Sequence, residues 1–176
     1  MSGLTPVIVT LDPAGSVVSV STHHTERTDM TQRLNVPTVA PEGYRAVLGL
    51  EQYVQANLDH TLLHLVKMRA SIINECSFCV DMHSRDAVAA GEHHHRLYAT
   101  AAWHDAPFFD ERERAALALT DAVTRLSPGG VPDDVWDTAA KHFEERELAD
   151  LLLAIVTINA WNRITVPTRT EPPQRG

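Results

Sequence analysis

The chain has 176 residues, 44% of them hydrophobic and 22% charged, with a formal net charge of −8. That is the length of one domain able to bury its own core, and an acidic chain without basic clusters is a poor partner for nucleic acid. The longest apolar run, Leu151 to Val156, falls far short of the ~20 residues of a membrane span, and no basic, apolar leader opens the chain, so the expected setting is the cytoplasm.

In chain order, residues 1–29 stand apart as an N-terminal extension. The β-branched runs Val7 to Leu11 and Val17 to Ser21 flank Asp12-Pro13-Ala14-Gly15, which reads as a β-hairpin with a Pro-Gly turn. Because an isolated hairpin is marginal in water, the alternative is a disordered arm. Thr22 to Asp29 reads as a linker, and Met30 opens a stretch like a second start. A helical domain is expected over 30–167, with a loose tail over 168–176.

Pro41 opens a helix carrying Tyr44, Val47 and Leu48 at helical spacing and closing near Asn57. A second runs from Asp59 to about Ile73, with His60 and His64 one turn apart. Without an H-E-x-x-H pattern that pair is weak evidence for metal. The third, about 75–90, starts at Asn74 as expected N-cap and stops at Gly91. It holds the only two cysteines, as Cys76-Ser77-Phe78-Cys79, with His83 four residues on. At about 100° per residue the two thiols and the imidazole share one face. Free amides and the dipole at a helix start favour a thiolate, His83 can take the proton, and two thiols so spaced can close a disulfide. C-x-x-C is also half of a zinc site, but a closed site takes four ligands, and His83 plus His64 or His93-His94-His95 would have to complete it. Two inert core cysteines are the remaining reading. The redox reading leads, because the histidine is aligned with the pair.

His93 to about Trp103 reads as a short helix with solvated histidines. Asp110 and Glu113 form a capping box for a helix through Ala115, Leu119 and Val123. Ser127-Pro128-Gly129-Gly130 breaks it, and another helix follows from Pro132 to about Phe143. The last, Glu145 to about Thr165, is apolar almost all round from Leu148 to Trp161, so the core or another subunit must cover it. The fold class is all-α, a compact multi-helix domain.

These residues carry a resemblance. Leu65 to Ser71, then Cys76-Ser77-Phe78-Cys79-Val80-Asp81-Met82-His83, and the segments 96–98, 101–103, 111–117 and 158–163 are similar to the alkylhydroperoxidase-D-like (AhpD-like) core of the carboxymuconolactone decarboxylase superfamily. The resemblance implies a homo-trimer or hexamer that reduces hydroperoxides through a redox-active Cys76–Cys79 disulfide, in antioxidant defence, with an external dithiol as reductant and no other cofactor. It implies Cys79 as the peroxidatic cysteine, Cys76 as the resolving one and His83 as the proton relay. Lactone-decarboxylating relatives generally lack the C-x-x-C. The family's relay glutamate, twelve positions before the first cysteine, is His64 here, and a glycine common in the family is Glu75. Glu75 is the expected partial substitute for the lost carboxylate. The alternatives are a general dithiol/disulfide oxidoreductase or redox sensor, and a non-catalytic helical oligomer with a degenerate or metal-holding site.

Overall fold

The computed structural model describes residues 7–11, 17–22 and 31–173, with side chains from residue 31 onward. The chain divides into two units, residues 1–31 and 32–176. In the first, strands β1 (Val7–Leu11) and β2 (Val17–Thr22) pair antiparallel, Val7 opposite Thr22 and Val9 opposite Val20, with a register shift at Thr10/Leu11. The expected Pro-Gly turn and most of the linker lie outside the described residues.

The second unit is all helix. It comprises α1 (Val36–Val39), α2 (Pro41–Asn57), α3 (His60–Ile73), α4 (Ser77–Ala89), α5 (His94–Ala99), a 3₁₀ turn (Thr100–Ala102), α6 (Glu111–Thr124), α7 (Asp133–His142) and α8 (Glu145–Thr168). Helix α3 is the central one, packed on α4, α6 and α8, and every residue from Leu65 to Ser71 is buried. Leu62, Leu63 and Val66 join Val54, Leu119, Phe143, Leu151 and Ile155 in the main core, and Leu65 packs with Trp103, Phe109 and Leu117 in a second cluster. Burying a leucine or isoleucine contributes about 1.5–3 kcal/mol each, so this helix carries much of the fold. The apolar girth of α8 is largely met within the one chain: Leu148, Leu151, Ala154, Ile155 and Ile158 are buried, while Val156 and Val166 stay exposed.

Arg69 crosses the middle of this core. Its Nε and Nη2 donate to the Asp121 carboxylate at 2.5 and 2.7 Å, and its Nη1 donates to the carbonyls of Thr100 and Ala101, both at 3.0 Å. Burial pushes the Asp121 carboxyl up, but Arg69 and Arg125 outweigh it and hold it below its ordinary value. One cation thus pins α6 and the 3₁₀ turn to α3, and removing it would leave the half-buried Asp121 carboxylate to Arg125 and the two carbonyls without this donor. The capping box at Asp110 is present as expected: the Glu113 amide donates to Asp110 at 2.8 Å and the Asp110 amide to Glu113 at 3.0 Å.

The α3–α4 junction differs from the sequence reading. Asn74 is not the N-cap of α4 but the C-cap of α3. The amides of Glu75 and Cys76 bond back to the carbonyls of Ile72 and Ser71 at 3.1 and 2.9 Å, which is the Schellman way of ending a helix. That motif puts Glu75 in the left-handed region, at φ 53°, where a Cβ costs about 1–2 kcal/mol. The end of α4 uses the same motif with Gly91, at φ 98°. Helix α8 also runs past the expected stop to Thr168, and the Thr170 amide folds back onto the Thr165 carbonyl at 3.0 Å.

Glu75→Gly should therefore stabilise the protein. Part of the relieved strain is offset by the extra freedom of glycine in the unfolded chain, leaving a gain of about 1 kcal/mol, or roughly 2–4 °C in Tm for a domain of this size. Calorimetry checks it; an unchanged or lower Tm would show that Glu75 makes a contact worth more than its strain.

Candidate functional site

Four helices each turn one stripe toward a common cavity of about 660 Å³. From α2 come Tyr44, Leu48, Glu51 and Gln55, and from α3 His60, Leu63, His64 and Lys67. From α4 come Phe78, Cys79, Met82, His83 and Asp86, and from α8 Trp161, Ile164, Thr165 and Thr168. Each stripe steps by three or four residues, as one face of a helix does. Residues Gln32, Asn35, Val36 and Pro37 line it as well. The Tyr44 ring meets the Trp161 ring edge-on at 5.1 Å. The Trp161 indole N–H donates to Glu51 Oε2 at 3.1 Å, and the other Glu51 oxygen takes the Lys67 ammonium.

The sulfurs sit where α4 begins. Cys76 is itself the N-cap: its Sγ accepts the Cys79 amide at 3.3 Å, the place of the serine or aspartate oxygen at an ordinary helix start. The hydroxyl of Thr165 lies 3.0 Å from Cys76 Sγ and 3.7 Å from Cys79 Sγ. Both cysteines are free thiols and buried. Only Cys79 lines the cavity; Cys76 lies behind it, against Ala70 and Ile158.

A hydrogen bond from Cys79 pulls the Cys76 thiol down to about 6; burial opposes this, and Thr165, the Cys79 amide and Asn162 assist. The same bond, then burial and the charge on Cys76, push Cys79 up. Two adjacent buried sulfurs cannot both ionise, so they titrate as a pair sharing one proton. Near neutral pH the pair is one thiol and one thiolate, the charge resting on Cys76, and transfer of the proton from Cys79 to Cys76 would put it on the sulfur that faces the cavity.

Both histidines predicted for the site line the cavity. Burial, and then Lys67 and His64, push the His83 imidazole down to about 3. His64 is lowered by burial first, then by Lys67, against Asp86, which raises it. Both rings are therefore neutral near pH 7, and each keeps a buried nitrogen, His83 Nε2 and His64 Nδ1, without a protein hydrogen-bond partner. A neutral His83 of lowered basicity would hold a captured proton poorly, whereas the sulfur pair can supply a thiolate by itself.

Glu75, expected to replace the relay carboxylate, is not brought to the site. It is exposed and does not line the cavity, because the left-handed turn points it outward from the junction. The expected cap, Asn74, instead donates its side-chain amide to Asn159 and Asn162 at 2.9 and 2.8 Å, tying the junction to α8. His93, His94 and His95 are exposed, away from the cavity. Among the described residues no three His, Cys, Asp or Glu side chains converge as a metal site. Sequence reasoning missed Thr165, Lys67 and Glu51. Lys67 stands one turn after His64, and Thr165 one turn after Trp161, so the helical stripes held a signal for both; nothing local pointed to Glu51.

Comparison with known proteins agrees with this architecture. Residues 41–122 match the model of the carboxymuconolactone decarboxylase family. The uncharacterised protein YdfG of Bacillus subtilis is 38% identical over 138 residues, covering 78% of this chain and 94% of YdfG. A structure of ATU0492 from Agrobacterium tumefaciens, of unknown function and suggested to be the antioxidant-defence protein AhpD, is 41% identical with a TM-score of 0.79. It covers 82% of this chain and 99% of that one. The alkylhydroperoxidase AhpD core of an uncharacterised peroxidase-related protein from Ralstonia eutropha shares the fold at 17% identity and a TM-score of 0.69, over 79% of this chain and 75% of its own.

The shared proton has a measurable signature. Ultraviolet thiolate absorbance against pH should show one thiolate per chain, with a midpoint near 6, and no second one below the ordinary thiol value of 9.0. The sign follows from the lowered value: the thiolate is present above pH 6 and is lost as pH falls through it. Two thiolates titrating together near 9 would show that the sulfurs do not share a proton.

Proposed function

The chain belongs to the carboxymuconolactone decarboxylase family, with an AhpD-like core, and within it we propose that the protein is a thiol-dependent peroxidase acting through Cys79 and Cys76. The observation that carries this reading is the placement of the two sulfurs: Cys79 faces the cavity while Cys76, hydrogen-bonded to the Cys79 amide, lies behind. The Cys79 thiolate attacks the terminal oxygen of a hydroperoxide, the O–O bond breaks, and Cys79 becomes a sulfenic acid as the alcohol leaves. The Cys76 thiol then attacks that sulfur, forming the disulfide and releasing water. An external dithiol attacks the disulfide through a mixed disulfide and restores both thiols.

Burial favours this over the rival reading as a general protein-disulfide oxidoreductase. Cys79 is 1% exposed, and a thiol that exchanges with protein disulfides must be reached by a folded partner. A small peroxide and a slender dithiol fit the cavity; a folded protein does not. The same reading places the protein in the cytoplasm, where thiols are kept reduced, and in a homo-oligomer, a trimer or hexamer. Val39, Tyr98 and Leu126 are each about two-thirds exposed, at 66, 69 and 66%, and are available to such contacts. Among the described residues no helix is long and apolar enough to cross a membrane.

Peroxide turnover with a small dithiol tests the assignment. Wild type should consume peroxide and Cys79→Ser should lose essentially all of the activity. Cys76→Ser, treated with peroxide in the absence of the dithiol, should consume one equivalent per chain and stop with a sulfenic acid on Cys79 that dimedone traps. Wild-type protein that leaves peroxide untouched, or a Cys79→Ser variant as active as wild type, would falsify the reading. Light scattering should give a multiple of the 19.5 kDa chain mass, and a monomer at micromolar concentration would remove the assembly from it.

A further inference from the structure

Reduction of a hydroperoxide expels an alkoxide, a strong base that must gain a proton as the O–O bond breaks. The two imidazoles of the cavity are poorly suited to give it. His83, pushed down to about 3, is neutral near neutral pH, and His64 is lowered as well. Cys76, which holds the pair's proton at that moment, does not line the cavity.

One cationic side chain is found among the described lining residues, Lys67. It is 2% exposed and ion-paired to Glu51. Its charge reaches both rings, since it is among the causes that lower His83 and His64. Glu51 is fixed in turn from its other oxygen by the Trp161 indole, and it too lines the cavity. Apolar residues of similar volume would hold such a place at least as firmly as a buried ion pair, so the pair is not explained by stability. A buried charge in the wall of a cavity that a nucleophile also lines is a common mark of a functional group.

We propose that Lys67 is a catalytic acid of this site, giving its ammonium proton to the departing alkoxide, and that Glu51 is a positioning residue that holds the ammonium at the cavity wall. The proposal rests on the peroxidase reading and assigns the one proton transfer which that reading leaves open. The Cys79 thiolate forms the S–O bond with its lone pair. The O–O electron pair departs on the outer oxygen, and an N–H bond of Lys67 breaks to convert that alkoxide to an alcohol. The terminal oxygen keeps its own hydrogen as the sulfenic acid. Lys67 is left as an amine beside Glu51 and regains its proton from water, replacing the proton lost when the sulfur pair ionised.

Two peroxides of different leaving group test it. The tert-butoxide leaving tert-butyl hydroperoxide needs an acid; the acetate leaving peracetic acid does not. Lys67→Met should lower turnover of tert-butyl hydroperoxide about 100-fold, in the range for general acid catalysis, and that of peracetic acid by far less. Because the single variant leaves the Glu51 carboxylate with the Trp161 indole but no cation, Lys67→Met with Glu51→Gln removes both charges and should show the same selective loss while keeping wild-type circular dichroism. Glu51→Gln alone should narrow the ratio between the two peroxides in part, and Glu51→Asp should restore it. Equal losses on both peroxides in the folded double variant, or no loss on either, would overturn the proposal alone. Wild type inert toward both would overturn the peroxidase reading and this proposal with it.

Discussion

Two sulfurs buried side by side cannot both carry a charge, and much of the molecule is arranged around that constraint. The single negative charge is placed at the start of α4, where the helix dipole and the hydrogen bond from the Cys79 amide favour it. Thr165 presents its hydroxyl to both sulfurs from α8. The junction carrying Cys76 cannot drift from Thr165, because Asn74 binds Asn159 and Asn162 on that same helix. Asn162 is held to α3 through Ser71 at 3.3 Å, and Arg69 holds α3 to α6. A chain of paired polar groups thus runs through a largely apolar core, and a paired polar network fixes one geometry more sharply than apolar packing does.

Much of this fold was legible in the sequence because helix signals are local. Pro41 at the start of α2, the Asp110–Glu113 box and Gly91 after α4 each act within a turn or two of their own position. The junction was misread for the same reason. An asparagine between two apolar helices can end one or begin the next, and the expected sign of a left-handed stop, glycine, is replaced by Glu75. What the sequence could not show is the cavity, since its walls come from four helices and no local pattern says which stripes will face each other. The apolar girth of α8 is a related case. Its sequence alone left open whether the domain or a second subunit covers it, and the packing of α2, α3 and α6 answers most of that within one chain.

His64, at the position where the resemblance led one to expect a relay glutamate, brings no carboxylate to the site. The imidazole occupies the cavity wall as a neutral group with a free nitrogen, and the exposed Glu75 supplies no charge there. The carboxylate that does border the cavity with an ion-pair partner belongs to α2, in Glu51. Two substitutions that look related on the page therefore have separate physical meanings, one in the chemistry of the cavity and one in the backbone of a turn.

The cap made by Cys76 ties the electron count of the sulfurs to the order of a helix end. A thiolate is a strong acceptor for the Cys79 amide, whereas a sulfur bound in a disulfide carries no charge and accepts weakly. Closing the bond would take the charge-assisted cap from α4, so the first turn of that helix is better held in the dithiol form than in the oxidised one. Whatever stabilises the dithiol raises the reduction potential of the couple. A disulfide closed at this helix start is therefore an easily reduced one, suited to being opened again by a modest dithiol rather than to serving as a permanent brace.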